Sequence, residues 1–256
     1  MADWTVNNRT VSIIDGLLLG DGWISRPTKS GGALLGYASK HQDLAEHVAS
    51  LLAIPGRQAR RYRNNLDTVR WQWVSGYRRD LVDQYHRWRP RDSKEVPGDI
   101  RVDRDSVLAW WLGDGCLHRS RGAYKGSRYV TIVPELCSLG FPQPQVEMLA
   151  CGLSTATGQD WAIQAHRMPS GRTGYGLKLS AKQAVAFFDW LGPCPVPSME
   201  YRWPTVEEAQ PKTWNAGRHA GRDTEIRKLR ESGLMLREIG ERYSLTKERI
   251  HQIVRS

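Results

Sequence analysis

Two aspartates carry most of the chemistry on offer. Asp21 ends the apolar run of VSIIDGLLLGDGWIS at 11–25, and Asp114 ends that of SVLAWWLGDGCLHRS at 106–120. Both stretches pass from apolar residues into Leu-Gly-Asp-Gly, and the two aspartates stand 93 positions apart. Each stretch reads as a buried helix with its aspartate at the C-terminal end. Such an end leaves carbonyls unpaired and carries partial negative charge, so it welcomes cations. A carboxylate there adds a hard anionic oxygen, the donor that Mg²⁺ prefers. Two carboxylates held close repel one another, and a shared divalent ion relieves the repulsion. Ions held this way can activate water and stabilise the leaving oxygen of a phosphodiester.

The small residues are what would bring the aspartates together. A glycine inside a helix costs about 1 kcal/mol relative to alanine, so Gly16 and Gly20, four residues apart, call for a reason. Small side chains at i and i+4 form a flat stripe that lets a second helix approach closely. Ala109 and Gly113 stand at the matching offsets of the second copy. Either segment alone reads equally as an ordinary buried helix closed by a glycine cap, Gly22 or Gly115. The pair, at domain-length spacing, reads as an axis relating two halves.

The elements after each copy run in the same order. After the first come a strand near Leu34–Lys40, a helix Asp43–Leu52, strands Gln58–Arg63 and Thr68–Ser75, and a helix Arg78–Trp88. After the second come a strand near Arg128–Val133, a helix Gln143–Thr157, strands Trp161–Arg167 and Tyr175–Ser180, and a helix Ala181–Leu191. The predicted fold class is α+β, with two pseudo-symmetric αββαββα halves and a small all-α unit. The halves span 1–92 and 93–192, a linker or wrapping arm spans 193–221, and the all-α unit spans 222–256. The 11 tryptophans against 3 phenylalanines fall mostly on apolar faces and read as core.

Composition narrows the partners. The 256 residues carry net charge +10, and residues 57–91 hold ten arginines against three aspartates. Such a surface attracts polyanions, because each neutralised phosphate releases a counterion. Four scattered cysteines, Cys116, Cys137, Cys151 and Cys194, form no paired zinc motif and read as reduced thiols. The apolar run at 13–19 is far short of a membrane span, and the N-terminus has no export signal, so the chain reads as cytoplasmic.

Residues Ile14–Gly22 and Val107–Gly115 resemble the two copies of the LAGLIDADG motif of single-chain homing endonucleases, and the element order extends the likeness to residue 192 or so. The acidic residue usual two places before the final aspartate is replaced by Leu19 and Leu112. The resemblance implies a saddle of two four-stranded sheets lying in successive major grooves of double-stranded DNA. It implies Mg²⁺-dependent hydrolysis of both strands by two or three divalent ions, with Mn²⁺ as a substitute. Asp21 and Asp114 would be ligands, assisted by the carbonyls of Gly20 and Gly113. The family also places a polar or basic residue from a late strand of each half beside the metal-bound waters, and alternation nominates Gln72 and Lys178.

A β-ribbon fits the major groove, where Arg, Lys and Gln read base edges. The candidates are Arg61, Arg63, Arg70 and Gln72 in the first half, and Arg119, Arg121, Arg128, His166, Arg167, Arg172 and Lys178 in the second. Unlike halves let one chain read an asymmetric site as a monomer acting as a pseudo-dimer. The tail LMLREIGERYSLTKERIHQIVRS has an apolar face at Leu236, Ile239 and Tyr243, a Ser-Leu-Thr turn, and anchors at Ile250 and Ile253. It resembles the helix-turn-helix of sigma factor region four, which implies that Lys247, Glu248, Arg249, His251 and Gln252 face a major groove. A DNA protein of this kind would sit with the nucleoid of a bacterium or phage host. The competing reading is a non-cutting regulator similar to the WhiA-like transcription factors. An RNA maturase fits poorly, since A-form grooves do not admit a recognition helix. An intein also fits poorly, with Met1 at the start and no His-Asn at the end.

Overall fold

Helix α1 (Asn8–Leu19) begins where the Asn7 side chain accepts the Thr10 amide, and its remaining turns are almost wholly buried. Its counterpart α4 (Arg104–Asp114) begins on a capping box, in which Asp103 and Ser106 satisfy each other's backbone amides. These belong to a computed structural model that describes residues 6–53, 58–63, 69–124, 127–209, 216–243 and 245–255. The side chains of 123, 124, 127, 128, 216–220 and 255 lie outside that description. The chain forms two compact units, Met1–Ala209 and Gln210–Ser256.

In the first unit α1 leads into β1 (Trp23–Ile24), β2 (Leu35–Ser39), α2 (Gln42–Leu52), β3 (Arg60–Arg63), β4 (Val69–Val74) and α3 (Asp80–Trp88). After α4 come β5 (Gly115–Tyr124), β6 (Ser127–Cys137), α5 (Gln143–Thr157), β7 (Ala162–Arg167), β8 (Thr173–Lys178) and α6 (Ala184–Leu191). Each half builds one antiparallel sheet, in the orders β1-β2-β4-β3 and β5-β6-β8-β7. The predicted α+β pair of αββαββα halves is therefore present. Sheet faces and helices enclose one core, in which Trp73, Trp88, Trp110 and Trp111 are the largest fully buried side chains. No helix among the described residues is long and apolar enough to cross a membrane.

One expectation needs correction. The first strand of the second half, β5, runs ten residues straight off α4 and pairs with β6 throughout, from Gly115↔Leu136 to Tyr124↔Ser127. Its outer part, HRSRGAY, lacks apolar alternation, so the backbone ladder holds it where burial cannot. Of the two readings of the stretch from 193, linker or wrapping arm, residues 193–209 form the arm, because Val196, Met199 and Trp203 are buried in the main core. The Trp203 indole donates to Gly192 O at 2.8 Å, around a 3-10 turn at Pro197–Arg202, and α7 (Val206–Ala209) follows. Three apolar residues thus anchor an arm that carries four prolines.

The second unit is α8 (Ala216–Glu231), α9 (Leu236–Tyr243) and α10 (Lys247–Arg255), around Ile226, Ile239, Ile250 and Ile253. Asp223 lies inside α8 and accepts Arg222 at 2.8 Å. Gly217 and Gly221 weaken that helix without ending it. Thr246, in the Ser-Leu-Thr turn, caps α10, its hydroxyl accepting the Arg249 amide at 3.3 Å.

Candidate active site

Helices α1 and α4 lie side by side and run in the same direction. Near their starts Arg9 donates to Asp105 at 3.1 Å, and Ser12 donates to Asp103 at 2.5 Å. Midway, a Cβ on Gly16 would stand 2.0 Å from Ser106 O and 2.8 Å from Ala109 Cβ. At the ends, a Cβ on Gly113 would stand 2.9 Å from the Asp21 amide nitrogen and 3.3 Å from Gly20 Cα. The two backbones touch along the small-residue stripe, so Asp21 and Asp114 share one pair of helix ends.

A second aspartate of the motif segment does structural work. Asp15, fully buried, accepts both terminal nitrogens of Arg87 at 2.5 and 3.0 Å, the Trp88 indole at 2.9 Å and the Arg101 amide at 3.1 Å. It ties α1 to α3 and to the segment entering α4. A buried carboxylate is tolerable when its lone pairs are filled in this way.

The site carboxylates are open to water yet hemmed in by protein. Burial pushes the Asp114 carboxyl up to about 6, and the charge of Asp21 adds to the effect. Asp21 is also raised by burial, against the lowering fields of Arg202, Arg70 and Lys94. Burial in turn lowers the Lys94 ammonium, against the pull of Asp114 and Asp21. Tyr37, 1% exposed, has a hydroxyl without a hydrogen-bond partner among the described residues, and the field of Asp21 helps to hold its proton on. Arg202 Nη1 donates to the carbonyls of Trp111, Leu112 and Gly113 at 2.9, 2.8 and 2.7 Å. Two hard carboxylates beside helix-end carbonyls suit Mg²⁺. Among the described residues no three His, Cys, Asp or Glu side chains form a closed metal cage. Water and phosphate oxygens would have to complete the coordination of such an ion.

Strand register sorts the other candidates. In the first sheet Arg60 pairs with Gln72 and Tyr62 with Arg70, whereas Arg61 and Arg63 pair with Trp71 and Val69. Partners across an antiparallel pair share a face. Arg70 and Gln72 therefore share their face with Arg60 and Tyr62, and Arg61 and Arg63 lie on the face of buried Trp73. In the second sheet Lys178 pairs with Glu135, and His166 Nε2 lies 3.3 Å from Glu135 Oε1. His118 Nε2 lies 2.8 Å from the other oxygen of Glu135, on the same face. Arg119 and Arg121 have the parity of buried Leu117. Arg119 gives its donors to the arm: Glu208 at 2.8 Å, Tyr201 O at 2.7 Å and Trp203 O at 2.8 Å. Arg167 is exposed on β7, Arg172 donates to Leu139 O at 3.2 Å, and the side chain of Arg128 lies outside the described residues. Lys247, Glu248, Arg249, His251 and Gln252 are all exposed on α10.

Lys94, Arg202, Arg60 and Tyr37 escaped the sequence reading. Lys94 and Arg202 each follow the third helix of a half, so the repeat itself was a usable signal. Arg60 needed the strand register.

A family model for the LAGLIDADG DNA endonuclease family matches residues 11–184. An uncharacterized protein of Methanocaldococcus jannaschii is 27% identical over 219 residues, which cover 78% of this chain and 80% of that protein. Among solved structures, the homing endonuclease I-WcaI bound to its DNA recognition sequence shares the fold. Its TM-score is 0.63 at 17% identity, over 78% of this chain and 88% of that one. Full-length WhiA from Thermatoga maritima aligns over 97% of this chain and 90% of its own, at 14% identity and a TM-score of 0.45. With both motifs on touching helices and the family model spanning both halves, the chain belongs to the LAGLIDADG DNA endonuclease family.

Proposed function

We propose that the chain is a divalent-metal-dependent endonuclease that cuts both strands of a long, asymmetric DNA site. One observation carries this reading: the helix contact that puts a Gly113 Cβ 2.9 Å from the Asp21 amide, and so joins the two motif aspartates at one place. Asp21 and Asp114 would hold two or three Mg²⁺ ions, or Mn²⁺, with the carbonyls of Gly20 and Gly113 assisting. Bound there, the metal polarises the phosphodiester and lowers the pKa of water. Gln72 and Lys178 would hydrogen-bond water or phosphate oxygen from opposite sheets. Arg60, Arg70 and Gln72 on one sheet and His166 and Lys178 on the other make up the face that would meet DNA. The three-helix unit would act as a helix-turn-helix, laying Lys247, Glu248, Arg249, His251 and Gln252 of α10 in a further major groove. Unlike halves let a monomer read an asymmetric target.

A second reading, a non-cutting regulator, draws on Arg202 and Lys94, two cations that already offset the carboxylate charge without metal. Selection from a randomised duplex library, followed by incubation of supercoiled plasmid carrying the selected site, separates the two. The endonuclease reading expects linear product only with Mg²⁺, lost in Asp21→Asn and Asp114→Asn while binding persists. Tight binding to intact plasmid with Mg²⁺ present would favour the regulator. Undiminished cutting by both variants would remove the proposed mechanism.

A further inference from the structure

Strands β5–β8 carry four arginines, one lysine and two histidines, and Glu135 is the one acidic residue among them. The four strands of the first sheet carry no acid. Glu135 does not turn into the core. It pairs with Cys116 on β5 and Lys178 on β8, on the face opposite buried Ile132 and Leu136. His118 Nε2 donates to one carboxylate oxygen at 2.8 Å, and His166 Nε2 lies 3.3 Å from the other. His166 reaches Glu135 across β8, which is bare there because Gly174 and Gly176 occupy this face. A Cβ on Gly176 would stand 3.0 Å from both Glu135 Oε1 and His166 Nε2. The Glu135 side chain is only 15% exposed, so two imidazoles and a glycine gap fix its place on the sheet.

Resting on the reading of this face as the one that meets DNA, we propose that Glu135 is a specificity-determining residue that accepts from the exocyclic amine of a cytosine in the major groove. An ionised carboxylate has about four acceptor sites and no donor. The two imidazoles use at most two of those sites, which leaves the rest for a base. Phosphate repels such a group, so it fits a duplex only where the duplex offers a donor. The major groove offers two, cytosine N4 and adenine N6. Adenine sets its N7 acceptor beside the amine, where it repels the second carboxylate oxygen. Cytosine presents only a C5–H there. Guanine and thymine edges present acceptors and no donor, and are rejected. With no acid in the first sheet, only the half-site under β5–β8 carries this requirement.

Duplexes selected from a randomised library by the full chain, in chelator so that none is cut, test this. The wild-type consensus should fix a C·G pair at which Glu135→Gln shows no preference for cytosine, with the rest of the consensus unchanged. The decisive probe is the selected duplex with 2-pyrimidinone in place of that cytosine, which keeps the ring and lacks the amine. It should bind the wild type at least about tenfold more weakly than the parent duplex, and Glu135→Gln less than about threefold more weakly. Loss of a merely structural group would weaken every duplex alike. An unchanged consensus, or equal penalties for the two proteins, would overturn the role of Glu135 and leave the DNA-reading face standing. Should Glu135→Gln fail to fold, the wild type decides by itself. A selected site in which no cytosine amine is worth more than about threefold would overturn the proposal. No sequence enriched over random duplex would overturn both.

Discussion

Keeping Asp114 ionised costs the free protein stability, and Asp114→Asn should recover it. Burial and the neighbouring Asp21 raise its carboxyl from 3.8 to about 6. A group whose pKa is higher in the folded chain binds its proton more tightly there. Its favourable contribution is complete below the unfolded value and is lost as pH rises through the folded one. A shift of about two units is worth at most about 3 kcal/mol, and solvent reaching a partly exposed carboxylate reduces this to about 1–2 kcal/mol. For a unit of this size that is a rise in Tm of about 2–8 °C. Thermal unfolding in chelator from pH 3.5 to 8 should show the variant more stable above pH 7, with the two curves converging near pH 4. Mg²⁺ should then stabilise the wild type more than the variant. A variant that is less stable throughout, or offset by the same amount at every pH, would refute the electrostatic reasoning.

The other predictions concern packing, anchoring and DNA contact. Gly16→Ala puts a Cβ 2.0 Å from Ser106 O, and forcing the helices apart should cost about 3 kcal/mol or more in urea unfolding. Asp15→Asn removes the buried one of the two carboxylates that pair with Arg87, leaving the exposed Asp99, and should cost about 3 kcal/mol by the same measurement. A chain ending at 209 should keep the cooperative melting of the first unit, whereas one ending at 192 should lose it, because Val196, Met199 and Trp203 are core residues. Arg60→Ala should weaken binding to a mixed-sequence duplex and lower the salt slope by about one. Arg61→Ala, on the opposite face by strand register, should change either less.

The duplicated Leu-Gly-Asp-Gly, the glycine stripe and the matching run of elements were all legible in the residues, because they depend on local periodicity and on residue size. So were the Ser-Leu-Thr turn and the apolar anchors Ile239, Ile250 and Ile253 of the three-helix unit, set by spacing along the helices. At 193–209 the prolines left linker and wrapping arm as alternatives, and only the burial of Val196, Met199 and Trp203 in a core assembled from distant segments decides for the arm. Which arginines of β3 share the face of Arg70 and Gln72 was not legible for a related reason. A four-residue edge strand, Arg-Arg-Tyr-Arg, has no apolar alternation to orient it, and only the pairing with Gln72 and Arg70 does so.

The nature of the site chemistry is thus written along the chain. Two helix-ending carboxylates and small residues at i and i+4 already imply joined helices and a cation between them. Electrostatic surroundings are another matter, because charge acts through space and takes no account of sequence separation. Arg202, 88 positions beyond Asp114, reaches the end of the second motif helix only once Trp203 is buried and Arg119 has clamped the arm. Tertiary packing alone decided that Arg202 and Lys94 would stand beside the two carboxylates.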